Sequence, residues 1–433
     1  MKDAPDQQDE LLLALPKWKI WYVMIVIFIL LFFDFASRVV ISPLFPLIKE
    51  EFSLSDSQLG LLNTVVLITI AVLAMPLSYL IDRWRRGKMM SLMAILWSAA
   101  SIVSGIAGNF AVLLTGRAFL GVAEASYNSA GQAMIMATIK KHLRTTVTGL
   151  LYTGMTLGMA GGMALGGLLG ATYGWRLSLI LMAIPGIIFG ILAWFIPDYK
   201  NQPRNITTQG HSTANNFKST MIMIFKNKTV MVLVVSYAMV NFLIYTIVSW
   251  LPTYLIRFGG MNIATAGSVT GIVLLTGLIA MPAGGWLGDI AARRSAKTKI
   301  LIIIVAVILA VVANSIAVLF TFWPLFIVVS LAVNLLVPAQ QVCLQEVVPL
   351  NQRATVFGFY YAGIFILGGL WAPLVIGAIS DAMNLKIAFA VSIGIAAVAT
   401  ILYPLAYKFF DNDFNQARRV EQDIASQAVR PNN

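Results

Sequence analysis

From residue 20 to residue 409 the chain runs in long apolar stretches broken by short polar turns. None of the stretches alternates with the period of two that a membrane β-strand requires, so the predicted elements are helices. Twelve of them are long enough to cross the hydrocarbon layer of a bilayer. They span 20–46, 57–81, 88–107, 109–138, 145–171, 176–196, 229–256, 264–288, 299–319, 322–346, 354–379 and 386–409. One break differs from the rest. The stretch "PDYKNQPRNITTQGHSTANNFKS", from Pro197, is rich in Asn, Thr and Ser and has no apolar face. The predicted organisation is a tail 1–19, a six-helix half 20–196, a linker 197–228, a second six-helix half 229–409 and a tail 410–433.

Composition supports a polytopic helical membrane protein. Of 433 residues 59% are hydrophobic and only 11% charged, and the mean hydropathy is +0.84. A soluble chain of this length needs more charge to cover its surface. The net charge of +12 would suggest nucleic acid in a soluble protein, but its distribution here is topological. Only Lys49, Arg176, Arg257 and Lys386 fall in the loops of one side, and Arg38 and Arg117 fall inside spans. The remaining Lys and Arg sit on the side that holds both termini, which the positive-inside rule makes cytoplasmic. "MKDAPDQQDE" carries four acids and is no signal-peptide start, so the first apolar run is read as a retained span. Cys343 is the single cysteine, which excludes an intrachain disulfide. His142 and His211 fall in predicted loops, and no zinc or haem spacing occurs, so neither metal nor cofactor is expected.

The two halves repeat. "RTTVTGLLYTG" from Arg144 and "RATVFGFYYAG" from Arg353 agree at six positions at an offset of 209. "LSYLIDRWRR" and "GGWLGDIAARR" align Asp82 with Asp289 at an offset of 207. An offset covering an even number of helices makes the halves parallel, which suggests a binding site near the bilayer midplane.

"SYLIDRWRRGK" resembles the loop signature of the major facilitator superfamily, with Ser78 in place of its first glycine. The second copy, "GWLGDIAARR", carries Gly285, Asp289, Arg293 and Arg294. A carboxylate near a helix end beside guanidinium groups can latch one conformation. The predicted latch is Asp82, Arg83 and Arg86 with Asp289 and Arg293. In span four, "RAFLGVAEASY" resembles the R-x-x-x-G motif of the same superfamily, and its "GVAEASY" end resembles the spinster-like and anion:cation symporter branches. "WLPTYL" at 250–255 is closer to the symporter branch. The resemblance implies an all-α integral membrane protein, twelve transmembrane helices in two parallel six-helix halves. In span five Gly154, Gly158, Gly162 and Gly166 recur every four residues, a stripe that lets a neighbouring backbone approach closely.

Few ionisable residues lie inside the spans: Asp34, Arg38, Arg117 and Glu124, with Glu346 near a helix end. A charge at the bilayer centre costs about 2.5–3.5 kcal/mol or more on insertion scales, so these groups should pair or line a pathway. Asp34 and Arg38 share one helical face, and so do Arg117 and Glu124, two turns apart. A static ion-pair network is the plain alternative to a pathway. In the symporter branch the first helix carries an adjacent Asp-Arg pair that serves coupling and anion contact. That resemblance puts Arg38 on the family arginine and Ser37 on the aspartate position. Asp34 lies one turn earlier, either doing the missing acid's work or only neutralising Arg38. The resemblance implies anion contact by Arg38; read as a pathway, the buried charges have Arg38 and Arg117 engaged by substrate and Glu124 as the protonatable coupler, joined by Asp34 if it does the missing acid's work. In the second half the polar candidates for substrate are Asn241, Tyr245, Gln341 and Tyr361, beside Asn334, Gln340 and Tyr360; helix–helix hydrogen bonding is their alternative use.

The expected function is proton-coupled uptake of a small organic anion, a carboxylate, by alternating access, with sodium as the alternative coupling ion. Export or flipping of an amphipathic lipid such as a lysophospholipid is the rival. No Walker A string occurs, and no His/Asp/Cys constellation suggests an enzyme. Membrane lipids are expected partners and nucleic acid is not. The chain is expected to work as a monomer in a bacterial inner membrane, with both termini cytoplasmic.

Overall fold

The computed structural model describes residues 16–81, 85–138, 144–197 and 221–429, and the elements along them are helical. The first span is α1 (Lys17–Val39), followed by a 3-10 turn at Ser42–Leu44 and α2 (Phe45–Phe52). Next come α3 (Asp56–Ile81), α4 (Arg86–Gly105) and α5 (Phe110–Thr138). The fifth and sixth spans form one long element, α6 (Arg144–Ala193), reversed at Gly174, whose φ of 78° and ψ of 170° break the helix. Positive φ of this kind is open to glycine and costly for other residues.

The second half continues with α7 (Lys228–Gly259), α8 (Ile263–Leu275), α9 (Gly277–Ala292), α10 (Thr298–Phe320) and α11 (Pro324–Glu346). The predicted eighth span is thus a helix pair. The eleventh is α12 (Arg353–Ile364), a π-helical turn at Phe365–Gly369 and α13 (Ala372–Ala382). The last element, α14 (Leu385–Val429), runs through its predicted span and on through the segment read as a tail. Its extension is tied down by Asp413, which accepts from the Thr229 amide at 2.9 Å, and by Asp411, 2.5 Å from Lys297. Among the described residues ten segments are long and apolar enough to cross a membrane, one of them, Val147–Ala193, carrying two predicted spans. Large side chains such as Phe320, Ile279 and Phe195 point outward, as a lipid-facing surface requires. The twelve-helix all-α architecture agrees with the sequence reading.

The packing divides the chain into two compact units. One comprises residues 1–202 together with 248–275; the other comprises 203–247 with 276–433. In the first, the glycine stripe of α6 meets α1, residue for residue. Gly154 abuts the Phe28 ring, and a Cβ at Gly158 would overlap the Phe32 carbonyl. Cβ atoms at Gly162 and Gly166 would lie 2.5 and 2.7 Å from the carbonyl oxygens of Ala36 and Val40. Four-residue spacing on one helix therefore matches four-residue spacing on the other. On another face of α6, a Cβ at Gly167 would come within 2.7 Å of the Ile263 carbonyl, and one at Gly267 within 2.5 Å of that of Met163. This seats α8 against α6.

The second unit repeats the device. Gly363 meets Val234, and Gly368 meets the Ala238 backbone. Gly363 lies at the repeat offset from Gly154. Gly368 lies one residue beyond the counterpart of Gly158, because the π-helical turn inserts an extra residue.

Gly158→Leu should drive α1 off α6. The melting temperature of the purified protein should fall by on the order of 5 °C or more, whereas Gly149→Leu, where a Cβ meets nothing within 4 Å, should leave it unchanged.

Candidate functional site

The four charges of the sequence reading come together where α1 ends. Pro43 lacks the N–H that would continue the α1 ladder, so regular helix stops just past Arg38. A helix end leaves carbonyl oxygens without partners, and Arg117 of α5 supplies donors. Its guanidinium donates to the carbonyl oxygens of Ser37 (3.2 Å), Arg38 (2.8 Å) and Leu62 (3.3 Å) and to Asn63 Oδ1 (3.3 Å). It is 1% exposed, and among the described residues it makes no ion pair within 4 Å. A cation here also answers the negative pole of the α1 dipole.

This geometry gives the R-x-x-x-G string a physical reading. Arg117 reaches the Leu62 carbonyl. One turn on, a Cβ at Gly121 would lie 2.6 Å from the Val66 carbonyl. The glycine brings α5 against α3, and the arginine holds the backbone one turn away.

Arg38 is held differently. Its Nε donates to Glu124 Oε2 at 2.8 Å, and its Nη2 lies 3.7 Å from Asp34 Oδ2, an ion pair too long for a hydrogen bond. The guanidinium also sits 4.5 Å from the centre of the Phe35 ring, a cation–π contact. The Arg38 side chain is 18% exposed, against 3% for Asp34 and 0% for Glu124. Of the four charged groups, Arg38 is the one that opens onto accessible space. Asp34 Oδ2 and Glu124 Oε1 are buried without hydrogen-bond partners. Ser37, at the family's aspartate position, contributes its carbonyl to Arg117.

In the second unit, Gln341 Nε2 donates to the Tyr361 hydroxyl at 3.0 Å, and this pair is exposed. Asn241 and Tyr245 lie on α7 against Gly369, where a Cβ would collide with both side chains; Tyr245 is half-buried. Gln340 ties α11 to the Leu233 carbonyl of α7 at 2.9 Å, Asn334 bonds within its own helix, and Tyr360 is stacked on Tyr237. Those three serve helix packing. Asp82 and Arg83 lie outside the described residues, and Arg86 begins α4. Asp289 and Arg293 are exposed at the end of α9, and no ion pair joins them.

Several polar residues that sequence reasoning passed over have clear roles. Asp56 takes both guanidinium nitrogens of Arg257 at 2.5 and 2.6 Å and Lys49 at 2.5 Å. Asn63 joins Ser42, Ser249 and Arg117. An asparagine amid "LLNTVVL" was the available signal for it; nothing local marks Asp56. Glu346, unassigned from the sequence, receives Lys299 on both oxygens at 2.6 Å.

Arg117→Lys keeps the charge but loses the planar set of donors. It should lower the melting temperature by on the order of 5 °C, because a lysine cannot satisfy three separated carbonyls at once.

The family model of the Major Facilitator Superfamily matches residues 27–373. A hexuronate transporter of Bacillus subtilis is 24% identical over 394 residues, 88% of this chain and 92% of that protein. Protein spinster of Drosophila melanogaster is 24% identical over 390 residues, 84% of this chain and 62% of that longer protein. The crystal structure of a bacterial homolog to the human lysosomal transporter spinster, inward-facing and unoccupied, superposes with a TM-score of 0.79 at 20% identity, covering 92% of this chain and 99% of that one. The span count, the duplicated signatures and the family match agree: the chain belongs to the Major Facilitator Superfamily of membrane transporters.

Proposed function

We propose that the protein takes up a small organic anion through a carboxylate, coupled to protons, by alternating access, with both termini in the cytoplasm. The observation that carries this reading is the contrast between the two arginines. Arg117 donates to three backbone carbonyls and to Asn63, whereas Arg38 is partly exposed and pairs with the side-chain carboxylates of Asp34 and Glu124. A guanidinium presents a fork that fits a carboxylate bidentately, and an incoming anion competes directly with Glu124 for it.

The coupling follows from charge balance. Asp34, Glu124, Arg38 and Arg117 sum to zero when all are ionised. A bound monoanion leaves the cluster with one excess negative charge, in surroundings where an uncompensated charge is costly. Proton uptake by Glu124, whose Oε2 has just lost its donor, restores neutrality. Asp34 is the second acceptor within reach of the same guanidinium, and it would serve a dianion or tune affinity. The direction follows from the inward proton gradient across a bacterial plasma membrane.

A hydroxylated carboxylate of the hexuronate kind is favoured over an amphipathic lipid. The hexuronate transporter aligns over 92% of its length.

Arg38→Ala should reduce D-glucuronate affinity at least about 100-fold, the scale of two charge-assisted hydrogen bonds, measured by calorimetry on protein that still melts cooperatively; wild-type affinity would sink the anchor assignment. Glu124→Gln should abolish accumulation driven by an acidic exterior in proteoliposomes while retaining exchange of labelled for unlabelled substrate. Intact pH-driven accumulation in that variant would rule out Glu124 as the coupling acid.

A further inference from the structure

Residues 248–275, the last turns of α7 followed by α8, pack within the first unit. Two rungs join α7 to α3 there. The outer one is charged: Arg257 on Asp56 at 2.5 and 2.6 Å. The inner one is neutral: Asn63 Nδ2 donates to Ser249 Oγ at 3.2 Å. Asp56 and Asn63 are two turns apart on α3, and Arg257 and Ser249 about two turns apart on α7, with the helices running in opposite senses. The Phe45 ring and the Trp250 ring, 5.3 Å apart, fill the space beside the inner rung. By the charge bias of the loops this is the non-cytoplasmic end, and α7 with α8 must leave it for the pathway to open outward.

The inner rung reaches further than the outer one. Asn63 is 8% exposed, and its amide engages three elements at once. Nδ2 donates to Ser42 Oγ at 3.1 Å, in the turn that follows α1, as well as to Ser249. Oδ1 accepts from Arg117 Nη2 at 3.3 Å. That same Nη2 donates to the Arg38 carbonyl at 2.8 Å. An unbroken chain of polar contacts therefore runs from Ser249 through Asn63 and Arg117 to the backbone of Arg38. We propose that Asn63 is a positioning residue that couples closure of the non-cytoplasmic gate to the placement of Arg38. When α7 departs, Nδ2 loses one of its two acceptors. The amide is then released to turn, Arg117 loses a fixed acceptor, and the end of α1 that carries Arg38 is freed to shift. Movement in the Arg38 backbone travels the same path outward.

The test needs no substrate, so its outcome is separate from that of the uptake reading. In full-length protein in lipid nanodiscs, Cys343→Ser removes the single, buried cysteine. Spin labels at Tyr173→Cys and Gly259→Cys, both exposed, then report the distance between α6 and the end of α7 by double electron–electron resonance. Ser249→Ala and Asn63→Ala should each raise the population at long distance about tenfold, equivalent to about 1.4 kcal/mol. The double variant should go no further than either single one. Arg117→Lys should shift the distribution when Asn63 is present and leave it unmoved in the Asn63→Ala background. A purely structural asparagine would lower the melting temperature without moving the distances. That result, additive effects of the two alanines, or an Arg117→Lys shift that persists without Asn63 overturns the proposal. Ser249→Ala, which only shortens a side chain on α7, keeps the test open if Asn63→Ala does not fold.

Discussion

A charge taken out of water has to be matched within hydrogen-bonding distance, and the arrangement of this bundle follows from how four such charges are matched. The match is unequal. Arg117 is satisfied by backbone carbonyls at the end of α1 and along α3 and by the Asn63 amide, none of which titrates. Arg38 pairs with two carboxylates, those of Asp34 and Glu124, which unlike backbone carbonyls are groups that can titrate. In the function proposed above, one arginine is a structural cap and the other an exchangeable site. A buried ion pair adds little stability for its own sake, because desolvation offsets most of the attraction. Its retention next to accessible space is better explained by the exchange it permits.

An exchangeable pair works only if its backbone is held to a fraction of an ångström. α1 is clamped along its length by the glycines of α6, so it cannot roll or slide without separating two backbones in contact. Pro43 ends α1 just past Arg38, and Arg117 then holds the cut end. Helix packing, helix termination and charge pairing are three aspects of one placement. The second unit applies the same glycine device between α12 and α7, with the π-helical turn shifting the register by one residue.

Much of this was legible in the sequence because it depends on short-range pattern. Apolar run length marks the spans, and four-residue glycine spacing marks a close helix contact. Four ionisable groups in apolar surroundings mark the cluster. What the pattern cannot carry is which distant surfaces meet. Arg117 and Glu124 do share a helical face, yet the arginine goes to carbonyls that no side-chain pattern reveals. Asp56 and Arg257 are 201 positions apart, and nothing in the sequence around either one points to the other. The packing of 248–275 within the first unit likewise has no local signature, since α7 runs as one unbroken helix through Ile247. Gly174 reverses the chain within a single residue, whereas the sequence suggested a short loop.

The central claim is that an anion takes Arg38 from Glu124 and that Glu124 then takes a proton. Calorimetry of D-glucuronate binding to the purified protein, repeated in buffers of different ionisation enthalpy, counts the protons taken up per anion bound. The account predicts about one proton per monoanion for the wild-type chain and none for Glu124→Gln. Binding without proton uptake, or uptake that survives in Glu124→Gln, would contradict it.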